Sequence, residues 1–115
     1  MAANSVTIEG RLGSDPEKKG NENGPVLFTV CWNQNRKLPS GEWESTPNWF
    51  DVKTWGRTRD TALSLRKGDL AIVEGRLKQE VWEKDGQKRS KLVIEAQSVA
   101  VVPKGETPAT ADVDW

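Results

Sequence analysis

The sequence predicts an all-β fold: a five-stranded Greek-key barrel with one short helix between the third and fourth strands and a long hairpin joining the fourth to the fifth. Three observations carry this. Runs of β-branched and aromatic residues alternate with polar ones at a period of two. Only one segment, Thr58 to Lys67, has helical spacing. Asp85-Gly86, set between two long strand-like runs, is a strong signal for a two-residue hairpin turn.

Taken in order, Val6-Thr7-Ile8-Glu9-Gly10-Arg11-Leu12 alternates strictly, with Val6, Ile8 and Leu12 facing in. Gly13-Ser14-Asp15-Pro16 breaks it, and Lys18 to Pro25 reads as a polar connection. Val26 to Trp32 is the second strand, and Trp32 continues the Phe28/Val30 face as expected core filler, with Cys31 as a buried small residue. Asn33 to Pro47 reads as a long loop around Pro39-Ser40-Gly41. Trp49 to Trp55 is the third strand, with Phe50, Val52 and Thr54 on a core face and Trp49, Asp51, Lys53 and Trp55 on a working face. In the helix, Thr58 is a candidate cap, Ala62, Leu63 and Leu65 form the apolar side, and Gly68 is the stop signal. Leu70 to Trp82 begins apolar on both faces, as a central strand does, and Lys88 to Val102 returns beside it. Gly10 and Gly75 sit within strands, where glycine permits tight bends at barrel corners. Five strands with a helix between the third and fourth is the order of an OB-type barrel. The domain is expected over residues 1–102, followed by a short acidic, disordered tail over 103–115.

Composition bounds the function. The chain has 115 residues, 17 basic and 17 acidic, no His, one Cys and six Trp. One domain of ordinary size fits that length. Without His there is no Ser-His-Asp triad and no common zinc ligand set, and no acid–base pair or phosphate-binding glycine motif is apparent, so no enzyme, metal or cofactor is expected. A single Cys suits a reducing cytoplasm, and no apolar run or leader pattern points to a membrane or to secretion. Residues 1–102 carry 16 basic and 14 acidic side chains, whereas residues 103–115 carry one against three. A near-zero sum does not exclude a polyanionic ligand, because the local stripe decides.

Six Trp exceed what a core of this size uses, so several are expected on a surface. Around the Asp85-Gly86 turn, Trp82 falls opposite Arg89 and Glu80 opposite Lys91, which puts Glu80, Trp82, Lys84, Gln87, Arg89 and Lys91 on one face. An indole ringed by cations, with Trp49, Trp55 and Lys53 on another strand, suits unpaired nucleic-acid bases and their phosphates. Trp43 either folds over a bound strand or shields the base of its loop. Arg11, Lys53, Arg57, Lys78, Lys84, Arg89 and Lys91 are the candidate phosphate contacts.

Asn4 to Glu17, then Trp49-Phe50-Asp51-Val52-Lys53-Thr54-Trp55-Gly56, Leu65-Arg66-Lys67-Gly68-Asp69 and Val73-Glu74-Gly75-Arg76-Leu77, with the Trp82–Arg89 hairpin, resemble bacterial single-stranded DNA-binding proteins in the family's order. The resemblance covers about residues 4–102. It implies sequence-independent binding and protection of single-stranded DNA in replication, recombination and repair, a homotetramer, a bacterial cytoplasmic setting, and base stacking by Trp49, Trp55 and Trp82. Where the family commonly has another stacking Trp after the second strand, this chain has Arg36 or Lys37. The family's acidic, aromatic-ended tip for replication and repair partners is shortened here to Asp112, Val113, Asp114 and Trp115. The rival expectation is a protein-interaction module of a primosome-type complex built on the same barrel.

Overall fold

The computed structural model describes residues 3–103. Seven elements follow one another: β1 (Val6–Leu12), β2 (Glu17–Lys18), β3 (Val26–Lys37), β4 (Trp43–Thr54), α1 (Arg57–Leu63), β5 (Leu70–Lys84) and β6 (Gln87–Val101). Five long strands close a ring. β1 pairs antiparallel with β5, β5 with β6, and β3 with β4, while β4 runs parallel to β6. Pairing of Arg11 with Cys31 and Leu12 with Val30 joins β1 to β3 and completes the barrel. The expected all-β OB-type barrel with one helix between its third and fourth long strands is therefore what the chain forms. β2 is an addition at the start of the segment read as a plain connection, reaching one residue before it: its two residues pair with Val26 and Leu27.

Alternation fills the interior. Leu12, Val26, Phe28, Val30, Val52, Ala71, Val73, Ile94 and Val99 point inward and are buried, joined by Ala62 and Leu65 from α1 and the turn after it. Thr54 is the one buried polar residue among those described, and its hydroxyl donates to the Val26 carbonyl at 2.9 Å, so no polar group is left unpaired there. α1 is shorter than the sequence suggested, ending at Leu63, and Thr58 does not cap it: the N-cap is Gly56, with no side-chain cap bond.

One correction concerns strand limits. Asn33 to Pro47 is not a loop, because β3 and β4 continue in register to Lys37↔Trp43 and leave only the turn around Gly41. Asn, Gln and Pro have low strand propensity, so the segment gives no periodic signal; pairing across the ladder holds it extended. Gly10 and Gly75 owe their identity to close backbone approach: a Cβ on Gly10 would lie 2.5 Å from the Cys31 carbonyl oxygen, and one on Gly75 would collide with the Glu95 carbonyl. Beside Gly75 the β5–β6 register shifts by one residue, a bulge that bends the barrel wall there.

Several residues of the resemblance motifs stitch the barrel's end together. Asp15 Oδ1 accepts from the Lys67 backbone N–H at 2.8 Å and Asp69 Oδ2 from that of Arg66 at 2.8 Å. Asp15 thus ties the turn after β1 to the segment after α1. Asn4 meets Leu77 through both its amide atoms, at 2.9 Å each, and extends the β1–β5 ladder by one side-chain rung.

Candidate nucleic-acid interface

The register decides which side chains share a surface. Residues directly opposed across a ladder point the same way. On β4, Trp43, Trp49, Asp51 and Lys53 lie opposite Lys37, Cys31, Thr29 and Leu27 of β3. The parallel pairing continues that face to β6, Asp51 beside Val93 and Lys53 beside Glu95. From β6 it passes to β5 as Val93↔Lys78, Lys91↔Glu80, Arg89↔Trp82 and Gln87↔Lys84. One outer face thus carries Trp43, Trp49 and Trp82 together with Lys37, Lys53, Lys78, Lys84, Arg89 and Lys91. Trp55 joins it just past the end of β4, with the Lys53 ammonium 5.9 Å from its ring centroid. All four indoles are exposed.

Local structure holds these rings in place. The Asp85-Gly86 turn has positive φ at both residues, 53° and 77°, as a type I′ turn requires, and so puts Trp82 opposite Arg89. The Trp49 indole lies against the backbone of Gly13, where an added Cβ would collide with the ring. Arg11, paired with Cys31 on β1, extends the Cys31–Trp49 row, but its guanidinium donates to the Gly68 carbonyl at 3.1 Å. Arg57 opens α1, two residues beyond Trp55.

Three of the candidate cations are already paired. The Lys53 ammonium donates to Glu80 Oε2, with both side chains about four-fifths covered. Lys78 pairs with Glu95 at 3.4 Å and Lys91 with Asp51 at 3.9 Å. The hydrogen bond from Lys53, aided by the nearby charges of Lys91 and Lys78, holds the Glu80 carboxyl below the ordinary carboxylate range against the opposing effect of burial. By contrast Lys37, Lys84 and Arg89 form no ion pair among the described residues.

The register separates the two residues left open at the position after the second strand. Lys37 is on the face of Trp43 and Trp49; Arg36 is on the opposite face, opposed to Glu44 and 4.0 Å from its carboxylate. Trp32 is corrected as well. It is 41% exposed and shares Arg36's face, because the core ends at Val30 and Phe50 before its indole is reached. Cys31 is half-buried, its thiol 3.6 Å from the Asn33 side-chain oxygen. Asp112, Asp114 and Trp115 lie outside the described residues. Sequence reasoning missed the Lys37–Trp43 pair and the Glu80 ion pair. The first was visible only as equal spacing about the Pro39-Ser40-Gly41 turn, and the second depends on β6 bringing β4 and β5 together.

Among the described residues no cluster of His, Cys, Asp or Glu is placed to hold a metal ion, and no helix is long and apolar enough to cross a membrane. Residues 3–102 match the model of the Single-strand binding protein family. A single-stranded DNA-binding protein of Aquifex aeolicus is 44% identical over 107 residues, 89% of this chain and 73% of the relative. Single-stranded DNA-binding protein 1 of Synechocystis is 33% identical over 99% of this chain and 95% of its own length. The fold is also that of the Plasmodium falciparum SSB solved in complex with ssDNA, at a TM-score of 0.77 and 19% identity over 90% of this chain and 97% of that one. With the barrel, its Trp-bearing face and a match across nearly the whole described chain, this protein belongs to the single-strand binding protein family.

Proposed function

We propose that this chain binds single-stranded DNA without regard to sequence, stacking bases on its exposed indoles and holding phosphates with unpaired cations. The observation that carries this reading is one continuous face that gathers Trp43, Trp49, Trp55 and Trp82 among lysines and arginines, in a family whose relatives are named for that ligand. Every base has a π-face, and stacking on an aromatic ring contributes about 1–3 kcal/mol per base, so such a face accepts any sequence. Lys84 and Arg89 flank Trp82 and are the foremost phosphate contacts; Lys37 serves beside Trp43, and Arg11 and Arg57 line the approach to Trp49 and Trp55. The function is binding and not turnover, in keeping with the relatives' names.

The wider role is protection of exposed single strands during replication, recombination and repair in a bacterial cytoplasm. Residues 1–102 form the binding domain and residues 103–115 a tail for protein partners, through Asp112, Asp114 and Trp115. The working form is a homo-oligomer, a tetramer by family likeness. Leu77, Val81 and Leu92, exposed on the back of the β5–β6 arm, supply apolar surface for a second copy to cover. Light scattering of the purified chain tests that assembly; a monomer at all concentrations refutes it.

Titration of intrinsic Trp fluorescence with an oligothymidylate, at low and moderate salt, tests the central reading. Quenching that saturates at many nucleotides per chain and weakens with salt is the expected result. An unchanged emission from the folded protein refutes it and favours a protein partner for the same face.

A further inference from the structure

The face that carries the indoles is electrostatically divided. Across the barrel floor, Lys53, Lys78 and Lys91 are matched one for one by Glu80, Glu95 and Asp51, which sums to zero. On the arm, Lys84 and Arg89 stand unpaired on either side of Trp82. The Lys53–Glu80 pair is the most covered of the three and lies between two rings: Lys53 is two residues from Trp55, and Glu80 is two residues from Trp82. It spans from β4 to β5 across β6, over the buried Val93.

Resting on the single-strand binding reading, we propose that Glu80 is a built-in anion occupying the place a phosphate would otherwise take beside Lys53. A bound single strand then stacks its bases along the whole face, while its phosphates are gripped chiefly by the unpaired cations of the arm. The physical reason is competition. A lysine already held by a carboxylate brings no net positive charge to a phosphate and displaces few of the cations condensed on the strand, whereas an unpaired arginine or lysine releases such a cation when it takes a phosphate. Desolvation sharpens the difference, because the covered Lys53–Glu80 pair is screened less than the exposed arm cations. The same pair braces the base of the arm against the barrel, so Trp55 and Trp82 keep their separation before any strand arrives. Glu80 is in this sense a positioning residue that also sets how much of the affinity depends on salt.

The test is the salt dependence of oligothymidylate affinity, read by Trp quenching over a potassium chloride series from about 0.05 to 1 M. For single strands each neutralised phosphate contributes a slope of about −0.7 in log affinity against log salt. Glu80→Gln is expected to free Lys53, steepening the slope by about 0.7 and tightening binding about fivefold at about 0.1 M salt, with convergence towards 1 M. Lys84→Gln is expected to shallow the slope by about the same amount. Glu95→Gln, which frees Lys78, is expected to act in the direction of Glu80→Gln and keeps the test open should the first variant fold poorly. A Glu80→Gln protein that melts like wild type but keeps its slope overturns the proposal, whatever its affinity, since a purely structural brace alters affinity equally at all salt concentrations. Failure of the wild-type protein to bind the oligonucleotide at the lowest salt is a different result: it removes the proposed function itself, and this inference with it.

Discussion

The barrel body and the two hairpin arms are built from the same strands, yet they obey different rules. In the body, β3 buries Val26, Phe28 and Val30, and β4 buries Val52 and Thr54. Beyond Cys31 and before Asn48 the same two strands are exposed on both faces without losing a single ladder pair. β5 and β6 repeat this: buried at Ala71, Val73 and Ile94, and open to solvent on both sides for most of the stretch from Leu77 to Leu92. Burial therefore holds the body, while the arms are held by backbone pairing, a type I′ turn at one tip and cross-strand side-chain contacts. A surface free of core duty can be spent on recognition, and three of the exposed indoles, Trp32, Trp43 and Trp82, sit on the arms.

The sharpest way to break this contrast is to remove the same side chain from each region. Leu65→Ala, at a fully buried site, is expected to lower unfolding stability by about 2–5 kcal/mol in urea titration. Leu92→Ala, at a site nearly two-thirds exposed in the single chain, should change the stability of the dissociated chain by no more than about 0.5 kcal/mol, with any further loss read as weaker self-association; equal losses in the dissociated chain would erase the distinction. Gly75→Ala should cost about 1–3 kcal/mol of stability, because the colliding Glu95 carbonyl is backbone that cannot swing aside. Trp82→Ala should do the reverse, leaving the urea midpoint in place and weakening oligothymidylate binding by about 1–3 kcal/mol; an unchanged affinity would take the arm out of the interface. The smallest effect is on acid stability. Because Lys53 holds the Glu80 carboxyl below its unfolded value of about 4.3, its contribution is complete above that pH and fades as pH falls through the lower folded value. Glu80→Gln should flatten that part of the stability–pH curve, and an identical curve in both proteins would show that the pair contributes nothing to folding.

Legibility in the sequence followed the same division. Val6 to Leu12, with its strict alternation, and Asp85-Gly86, with its demand for positive φ, predicted their elements correctly because a local rule governs each. Asn33 to Lys37 and Trp43 to Pro47 carry no alternation, since neither face is buried, and their strand character comes from the partner strand alone. Trp32 was misplaced for a related reason: continuing a buried face by period two assumes the core extends under it, and the core stops at Val30. Of the candidate interface, Trp49, Trp55 and Trp82 are legible as surplus aromatics beside cations, whereas the pairing of Lys53 with Glu80 is not.

What the sequence by itself determined is the barrel, its order of strands, the β5–β6 turn and the presence of surface indoles. These follow from hydrophobic period, glycine placement and a Trp count larger than the core can absorb. Tertiary structure alone decided that four of the indoles share one face while Trp32 takes the other, that Lys37 and not Arg36 joins the four, and which lysines meet carboxylates. The reason is distance along the chain. Lys53 and Glu80 are 27 residues apart, and they meet only because a parallel β4–β6 pairing brings β5 alongside. Charge on the candidate interface is therefore a property of which strands lie side by side, which no local pattern encodes.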